Sequence, residues 1–327
     1  MSRALGRATV LALALLAAAA PAAHATFSIV CRDSVTGEVG VAVKSRGMRV
    51  GGLSSYADWR VGAVFAQGYP DLSHMPRGMQ LLRDGMAPAA VIEQLLSTDS
   101  MRVWRQLSVV DRRGTAAGVT GEQAYASAGE RVGGGYVVQG SSLASDRVIP
   151  AMTFAYEQTQ GSLAERMLAA LEAGQVEGGD GLGRGSALLV ISRPGYTPNP
   201  LMDPDTLDPL AIELRVDFDP DPLGSLRFML KGARAREMSD SARVCVREGQ
   251  LDRAIQLQEA ALALDPSDAE IAYDLAERYA QVGRWDEALT MLTSVLAYQP
   301  ALRSYAARHP AFRSVRGSVR FQRAVRR

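Results

Sequence analysis

From Thr26 onward the apolar positions of this chain recur in short runs that switch between a strand period of two and a helical period of 3.6. Thr26–Asp33 and Val39–Lys44 read as strands joined by the turn Ser34-Val35-Thr36-Gly37, and Val61–Gln67 adds a third. Helical spacing then predicts helices over Arg77–Asp84 and Pro88–Leu96, the second carrying Val91, Leu95 and Leu96 on one face. Gln106–Asp111 and Thr115–Thr120 flank Arg112-Arg113-Gly114 as another hairpin, and Tyr136–Gly140 is a further strand. Amphipathic helices over Asp146–Glu157 and Ser162–Gly174 precede strands over Ala187–Ser192 and Ile212–Phe218. Asp221 as N-cap and Pro222 at the first helical position then open a helix near Leu223–Arg236. Strands, a helix pair, and strands again predict an α+β fold in which two sheets are faced by helices, a four-layer αββα sandwich over residues 26–234.

Beyond that point the pattern becomes an internal repeat. Gly249 and Gly283 are 34 residues apart, and the same offset joins Asp252 with Asp286, Ala254 with Ala288, Ile255 with Leu289 and Pro266 with Pro300. That is the period of the tetratricopeptide repeat, two antiparallel helices brought close by small residues, so residues 235–302 read as two copies forming a small all-α domain. Two copies cannot bury their apolar faces alone, and a following helix, the large domain or a protein partner must cover them. The tail, residues 303–327, carries eight arginines and no acid, with Phe312, Val315, Val319, Phe321 and Val325 interleaved. It reads as a capping segment with a solvated basic face; the other reading is a site for an acidic polymer or anionic surface.

Composition bears mainly on what precedes Thr26. Residues 1–25 have the form of a secretory leader: Arg3 and Arg7, an apolar run from Ala8 to Ala20, and the small-residue site Ala23-His24-Ala25. The expected mature protein is exported, periplasmic or secreted, with Thr26 as its first residue. A terminal threonine joins a hydroxyl nucleophile to an α-amine whose pKa is about 7.7–8.0, a base on the same residue. Removing Arg3 and Arg7 takes the formal charge from +1 to −1, which gives no reason to expect nucleic acid as a partner. No later segment reads as a transmembrane helix. Three histidines, two of them beyond the leader, offer no metal-ligand spacing, and no cofactor is expected. Cys31 and Cys245 exclude a disulfide framework and read as small buried hydrophobes, one bridge between them being left open.

Other polar segments read as structural. The glycine-rich run Gly178–Ser186 lacks a lysine and leads into a strand, so it offers no helix N-terminus for a phosphate. Asp217, Asp219 and Asp221 fit a solvated strand end running into a helix cap. Ser54, Ser55, Ser141 and Ser142 sit in no G-x-S-x-G elbow, and no histidine is placed as a partner base.

TFSIVCRD at Thr26–Asp33, the run Thr36–Val43 followed by Ser45, and Val61–Val64 with Gln67 resemble the opening of the bacterial family called domain of unknown function 1028. So do Arg105-Gln106 with Val110-Asp111, Thr120-Gly121-Glu122, Tyr136 with Val138-Gln139-Gly140, Leu168–Gly174, and Asp180 with Gly183 and Ser186-Ala187. The resemblance spans about residues 26–232 and implies an N-terminal-nucleophile-hydrolase-like αββα fold. Cytosolic members of that family typically begin Met-Thr-Phe-Ser-Ile, so loss of the initiator methionine would expose the same threonine that leader cleavage exposes here.

The chain also departs from the family pattern. Asp71-Leu72-Ser73-His74-Met75 stands where the family tends to have Asn-Pro-x-Tyr-Gly, Ser141 replaces an asparagine, Leu182 an arginine and Gly185 a glutamine. These are polar groups of the kind that orient a substrate, so the substrate differs or the chemistry has been lost. The expected activity is hydrolysis of a small amide or peptide by Thr26, with Ser45, Gln67, Gln139 and Ser141 as candidates for positioning and oxyanion donation. Each of the four reads equally as a hydrogen-bonded structural group. The alternative is a non-catalytic exported scaffold whose repeats hold a protein partner.

Overall fold

The computed structural model describes residues 25–50, 56–181, 184–196 and 210–326; most of the expected leader, Ser54, Ser55, Leu182 and Gly183 lie outside them. The chain divides into two compact units, Met1–Arg227 and Phe228–Arg327.

In the first unit the described strands are β1 (Thr26–Arg32), β2 (Val39–Ser45), β3 (Tyr56–Asp58), β4 (Gly62–Gly68), β5 (Arg105–Asp111), β6 (Ala116–Thr120), β7 (Gly129–Gly133), β8 (Tyr136–Ser141), β9 (Gly185–Ser192) and β10 (Leu210–Asp219). They form a six-stranded sheet in the order β10-β9-β2-β1-β8-β7 and a four-stranded sheet in the order β3-β4-β5-β6, with every pairing antiparallel. Helices α1 (His74–Arg83) and α2 (Pro88–Leu96) lie on the smaller sheet, while α3 (Val148–Gln158) and α4 (Leu163–Val176) lie on the larger. The two sheets meet through β1, β4, β5 and β8, which completes the αββα order.

Burial on both faces explains the near-continuous apolar runs of β2 and β9, every residue of which is buried. Between the sheets, Val30, Val41, Val43, Phe65, Val110 and Val190 share one cluster. Val64, Leu107 and Val109 point the other way, into Met75, Met79 and Leu95 of α1 and α2. Local signals set the helix starts: Ser162 and Glu165 close a capping box at α4, and Asp221 accepts the Gly224 N–H at 3.0 Å. Two short strands, β3 and β7, lie where the sequence pattern gives none; both are edge strands.

The helix opened by Asp221 is longer than its sequence signals imply: α5 runs Pro222–Arg247 and carries the chain from one unit into the other. The second unit continues with α6 (Leu251–Leu264), α7 (Ala269–Gln281), α8 (Trp285–Tyr298), α9 (Arg303–Arg308) and α10 (Val319–Arg326). The repeat is structural as well as sequential. Gly249 and Gly283 take left-handed φ of 77° and 79°, and the residue after each donates to a carbonyl five positions back, Gln250 to Cys245 and Arg284 to Tyr279. Both turns are the same glycine-closed helix end. Ala254 and Ala288, at matched positions, are fully buried. In the tail, Phe312 and Phe321 are fully buried against α7 and α8, whereas Val319 stays 68 % exposed.

Candidate functional site

Strand alternation sends Thr26 and Ser28 of β1 into the space between the sheets, in phase with Val30. By the same rule Ser45 of β2, Ser141 of β8 and Ser186 of β9 share that face, and the registers pair Ser186 with Ser45, Ser45 with Thr26, and Thr26 with Ser141. Four hydroxyls thus stand in a row across four strands at one end of the inter-sheet space. Arg46 N–H donates to the Ala25 carbonyl at 3.0 Å, which makes Thr26–Ser45 a pair without backbone hydrogen bonds, the closer of the two kinds. Their hydroxyl oxygens are accordingly 2.8 Å apart. Thr26 therefore turns its own N–H and C=O toward Ser141 on the opposite strand.

The serines also hold the turn after β2. Ser45 Oγ accepts the Gly47 N–H at 3.1 Å and donates to the Ala25 carbonyl at 3.2 Å, while Ser186 Oγ donates to Gly47 O at 2.6 Å. Ser141 Oγ is buried without a hydrogen-bond partner, and Ser142 beside it adopts a left-handed φ of 55°, a strained conformation for serine.

Thr26, Ser45 and Gln67 open onto one cavity of about 270 Å³, whose wall includes Met48, Phe65 and Pro70. No ionisable side chain is among its described lining residues. Gln67 is the penultimate residue of β4, followed by Gly68, whose φ of +79° turns the chain away. Its Nε2 donates to Gln106 Oε1 at 3.1 Å, and Gln106 Nε2 in turn donates to Gly140 O at 2.9 Å and Thr120 Oγ1 at 3.0 Å. Gln139 and Ser141 do not line the cavity. The Gln139 amide ties the sheets together, accepting from Ser108 Oγ at 2.9 Å and donating to Val119 O at 2.7 Å and Leu107 O at 3.4 Å. Its donors are committed to structure.

Asp71, His74 and Gly185, three of the positions that depart from the family pattern, have local structural roles, while Leu182 lies outside the described residues. Asp71 accepts from both the Ser73 N–H and hydroxyl, which hold its carboxyl below the usual range, and so shapes the entry to α1. His74 is buried at the start of α1, 3.5 Å from Asp99, and burial lowers its pKa; it is not among the described residues that line the Thr26 cavity. A Cβ at Gly185 would come within 2.5 Å of the Ser45 carbonyl oxygen, so β9 reaches the row of hydroxyls only because that position has no side chain.

On the reverse face of β2, Lys44 pairs with Asp180, both 2 % exposed. The aspartates of the strand end serve the fold: Asp217 pairs with Arg215 and Asp219 accepts from the Asp221 N–H. Among the described residues no group of histidine, cysteine and carboxylate side chains could hold a metal, and no helix is long and apolar enough to cross a membrane. Cys31 and Cys245 carry free thiols, and burial pushes that of Cys31 up to about 12.

The profile of a family of unknown function, DUF1028, matches residues 26–226, and its first residue is Thr26. The chain belongs to that family. A tetratricopeptide-repeat profile matches residues 246–308, which gives the second unit of this DUF1028 protein a capacity for protein interaction. Among solved structures, a Silicibacter pomeroyi protein described as a DUF1028 member is 30 % identical, with a TM-score of 0.56 over 64 % of this chain and 89 % of that one. No curated protein matches the chain.

Sequence reasoning missed Gln106, Ser108 and Ser28. Each lies in phase with apolar residues that face the other sheet, so their positions in the alternation were the available signal.

Proposed function

We propose that this DUF1028 protein is an exported N-terminal-nucleophile hydrolase of small amides, with Thr26 exposed by removal of the leader. The observation that carries the reading is the Thr26 hydroxyl in a small cavity, 2.8 Å from Ser45 and at the position where leader cleavage would leave a free amine.

In the mature chain the Thr26 α-amine takes the proton of Oγ1 as that oxygen attacks the amide carbonyl carbon. The C–O bond forms, the carbonyl π pair moves to oxygen, and collapse of the tetrahedral adduct breaks the C–N bond as the amine returns the proton to the leaving nitrogen. Water then cleaves the acyl ester with the same amine as base. Donors for the oxyanion come from the removal of Ala25, since the Arg46 N–H and the Ser45 hydroxyl that hold its carbonyl become free, the hydroxyl lying 2.8 Å from Oγ1. The Ser141 carbonyl, toward which Thr26 N points, would orient the amine.

The test is the intact mass of the exported protein before and after treatment with a threonine-directed electrophile such as a β-lactone. A chain starting at Thr26 that gains one adduct, lost in Thr26→Ala, supports the reading. A stable N-terminus upstream of Thr26 overturns it and favours a scaffold whose repeats hold a protein partner, the reading that the tetratricopeptide match supports.

A further inference from the structure

The strand that starts at Thr26 ends at Arg32, and strand alternation puts both on the same face of β1. At a rise of about 3.3 Å per residue they stand roughly 20 Å apart. Around Arg32 lies a second cavity, of about 340 Å³, which shares no described lining residue with the cavity at Thr26. Three arginines line it, each supplied by a different element: Arg32 by β1, Arg113 by the β5–β6 turn and Arg166 by α4.

The three are held differently. Arg166 is fixed at the wall, its Nη1 donating to Asp33 Oδ2 at 2.9 Å, its Nε to the Tyr156 carbonyl at 3.4 Å, and its guanidinium 4.4 Å from the centre of the Tyr156 ring. Arg113 is exposed, and its backbone N–H donates to Asp111 Oδ1 at 2.8 Å, so the turn that carries it is tied down. Arg32 is half-buried, and among the described residues its guanidinium has no ion pair and no hydrogen bond. Only its Nε is enclosed; the two terminal nitrogens are open, and Nη1 lies against the wall, 3.9 Å from where a Cβ on Gly114 would stand. A partly desolvated guanidinium without an acceptor is unfavourable, and an anion recovers that cost.

Asp33 is the one carboxylate among the described lining residues, and its oxygens are occupied. Its Oδ1 accepts the N–H groups of Val35 and Thr36, both at 2.8 Å, while Oδ2 takes Arg166. Three positive charges against one negative leave two unmatched, which suits a dianion. Arginines arriving from three separate elements suit a group with oxygens in three directions better than a planar carboxylate with two. The ligand is small, since the volume is at the low end of the roughly 300–1,000 Å³ of ligand sites. It is also without a nucleobase to stack: the aromatic residue on the described wall, Tyr156, is 3 % exposed and lies under Arg166.

We propose that this cavity is a binding site for a phosphate group, free or on a small phosphomonoester, with Arg32 and Arg113 as the residues that grip it. The assignment is independent of Thr26 and its chemistry.

Isothermal titration calorimetry on the wild-type protein, in about 0.15 M sodium chloride to screen loose surface binding, tests it with three probes: inorganic phosphate, glycerol 3-phosphate and malonate. At least one phosphate probe is expected to bind saturably and about tenfold tighter than malonate, a dianion of the wrong shape. Tighter binding of glycerol 3-phosphate assigns the site to phosphomonoesters, and tighter binding of inorganic phosphate assigns it to the free ion; either supports the proposal. Arg32→Gln and Arg113→Gln should each weaken the better probe about tenfold or more, as loss of a charged hydrogen bond does. Arg112→Gln, on the same exposed turn but not lining the cavity, should change it less than about threefold. No saturable binding of either phosphate probe overturns the proposal, as does malonate binding equally well. An effect of Arg112→Gln as large as that of Arg113→Gln also overturns it, by showing general attraction to a basic turn. If Arg32→Gln does not fold, the comparison of Arg113→Gln with Arg112→Gln decides, since both change exposed side chains.

Discussion

Lys44 and Asp180 form a buried ion pair on the face of β2 opposite Ser45, with Lys44 Nζ also 6.0 Å from the centre of the Phe27 ring. Burial raises the Asp180 pKa against the opposing pull of Lys44, and its second carboxylate oxygen has no hydrogen-bond partner. Such a pair adds little over an apolar replacement but is costly to break from one side. Lys44→Met is expected to destabilise the folded protein by about 3–5 kcal/mol, because Asp180 is left buried and unpaired. Lys44→Met with Asp180→Leu should recover most of that loss. Urea unfolding of the wild type and the two variants checks this, and equal losses in the single and double variants would show that the pair does not act as a unit.

Thr26→Ala is expected to lower amide hydrolysis on the order of a thousandfold or more, as loss of a nucleophile does elsewhere. Folding should change little, because Ser45 keeps its bond from the Gly47 N–H. Thr26→Ser should retain part of the rate, the hydroxyl surviving while the methyl that restrains its rotamer is lost. One extra residue ahead of Thr26 should be nearly as damaging as Thr26→Ala. Steady-state rates on small amides, with thermal melting as the folding control, measure all three; a blocked amine with full activity would remove the amine from the mechanism.

Gly185→Ala adds the single atom that would approach the Ser45 carbonyl oxygen to 2.5 Å. Overpacking of this kind costs about 1–3 kcal/mol, which for a chain of this size lowers Tm by roughly 2–12 °C. Hydrolysis should fall more than the stability loss explains, because Ser45 is displaced from Thr26. A variant that melts and reacts like wild type would show that β9 can move aside freely.

Burial holds the His74 imidazole below its usual value of about 6.5, so in the window beneath that value the unfolded chain binds a proton that the folded protein refuses. Stability from neutral His74 is complete above that window and is lost as the pH falls through it. Between pH 7 and pH 5 the wild type is therefore expected to lose more Tm than His74→Gln, which cannot titrate. Parallel pH slopes for the two proteins would show that His74 protonates equally in both states.

Most of the first unit was legible because its strands are short, its turns carry glycine or aspartate, and covered faces demand unbroken apolar runs such as Val39–Val43. Gly129–Gly133 was not, since an edge strand with exposed Glu130, Arg131 and Val132 shows no buried alternation and exists through its pairing with β8. Thr26, Ser45 and Gln67 could be proposed from sequence, but their convergence depends on two sheets meeting face to face. Gln139 looked equivalent to Gln67 because both are polar residues near strand ends. Only the third dimension separates an amide whose donors are all used between the sheets from one whose oxygen has nothing to bind.

The strand that bears Thr26 has β2 on one side, which follows it directly, and β8 on the other, which follows more than a hundred residues later. Pairings of that separation form slowly, because the loop must close before any contact rewards it. The row of hydroxyls consequently cannot assemble on a nascent chain that has emerged only through β2. It is among the last parts of the unit to be completed, and the chain carries no finished site until β8 and then β9 have joined the sheet.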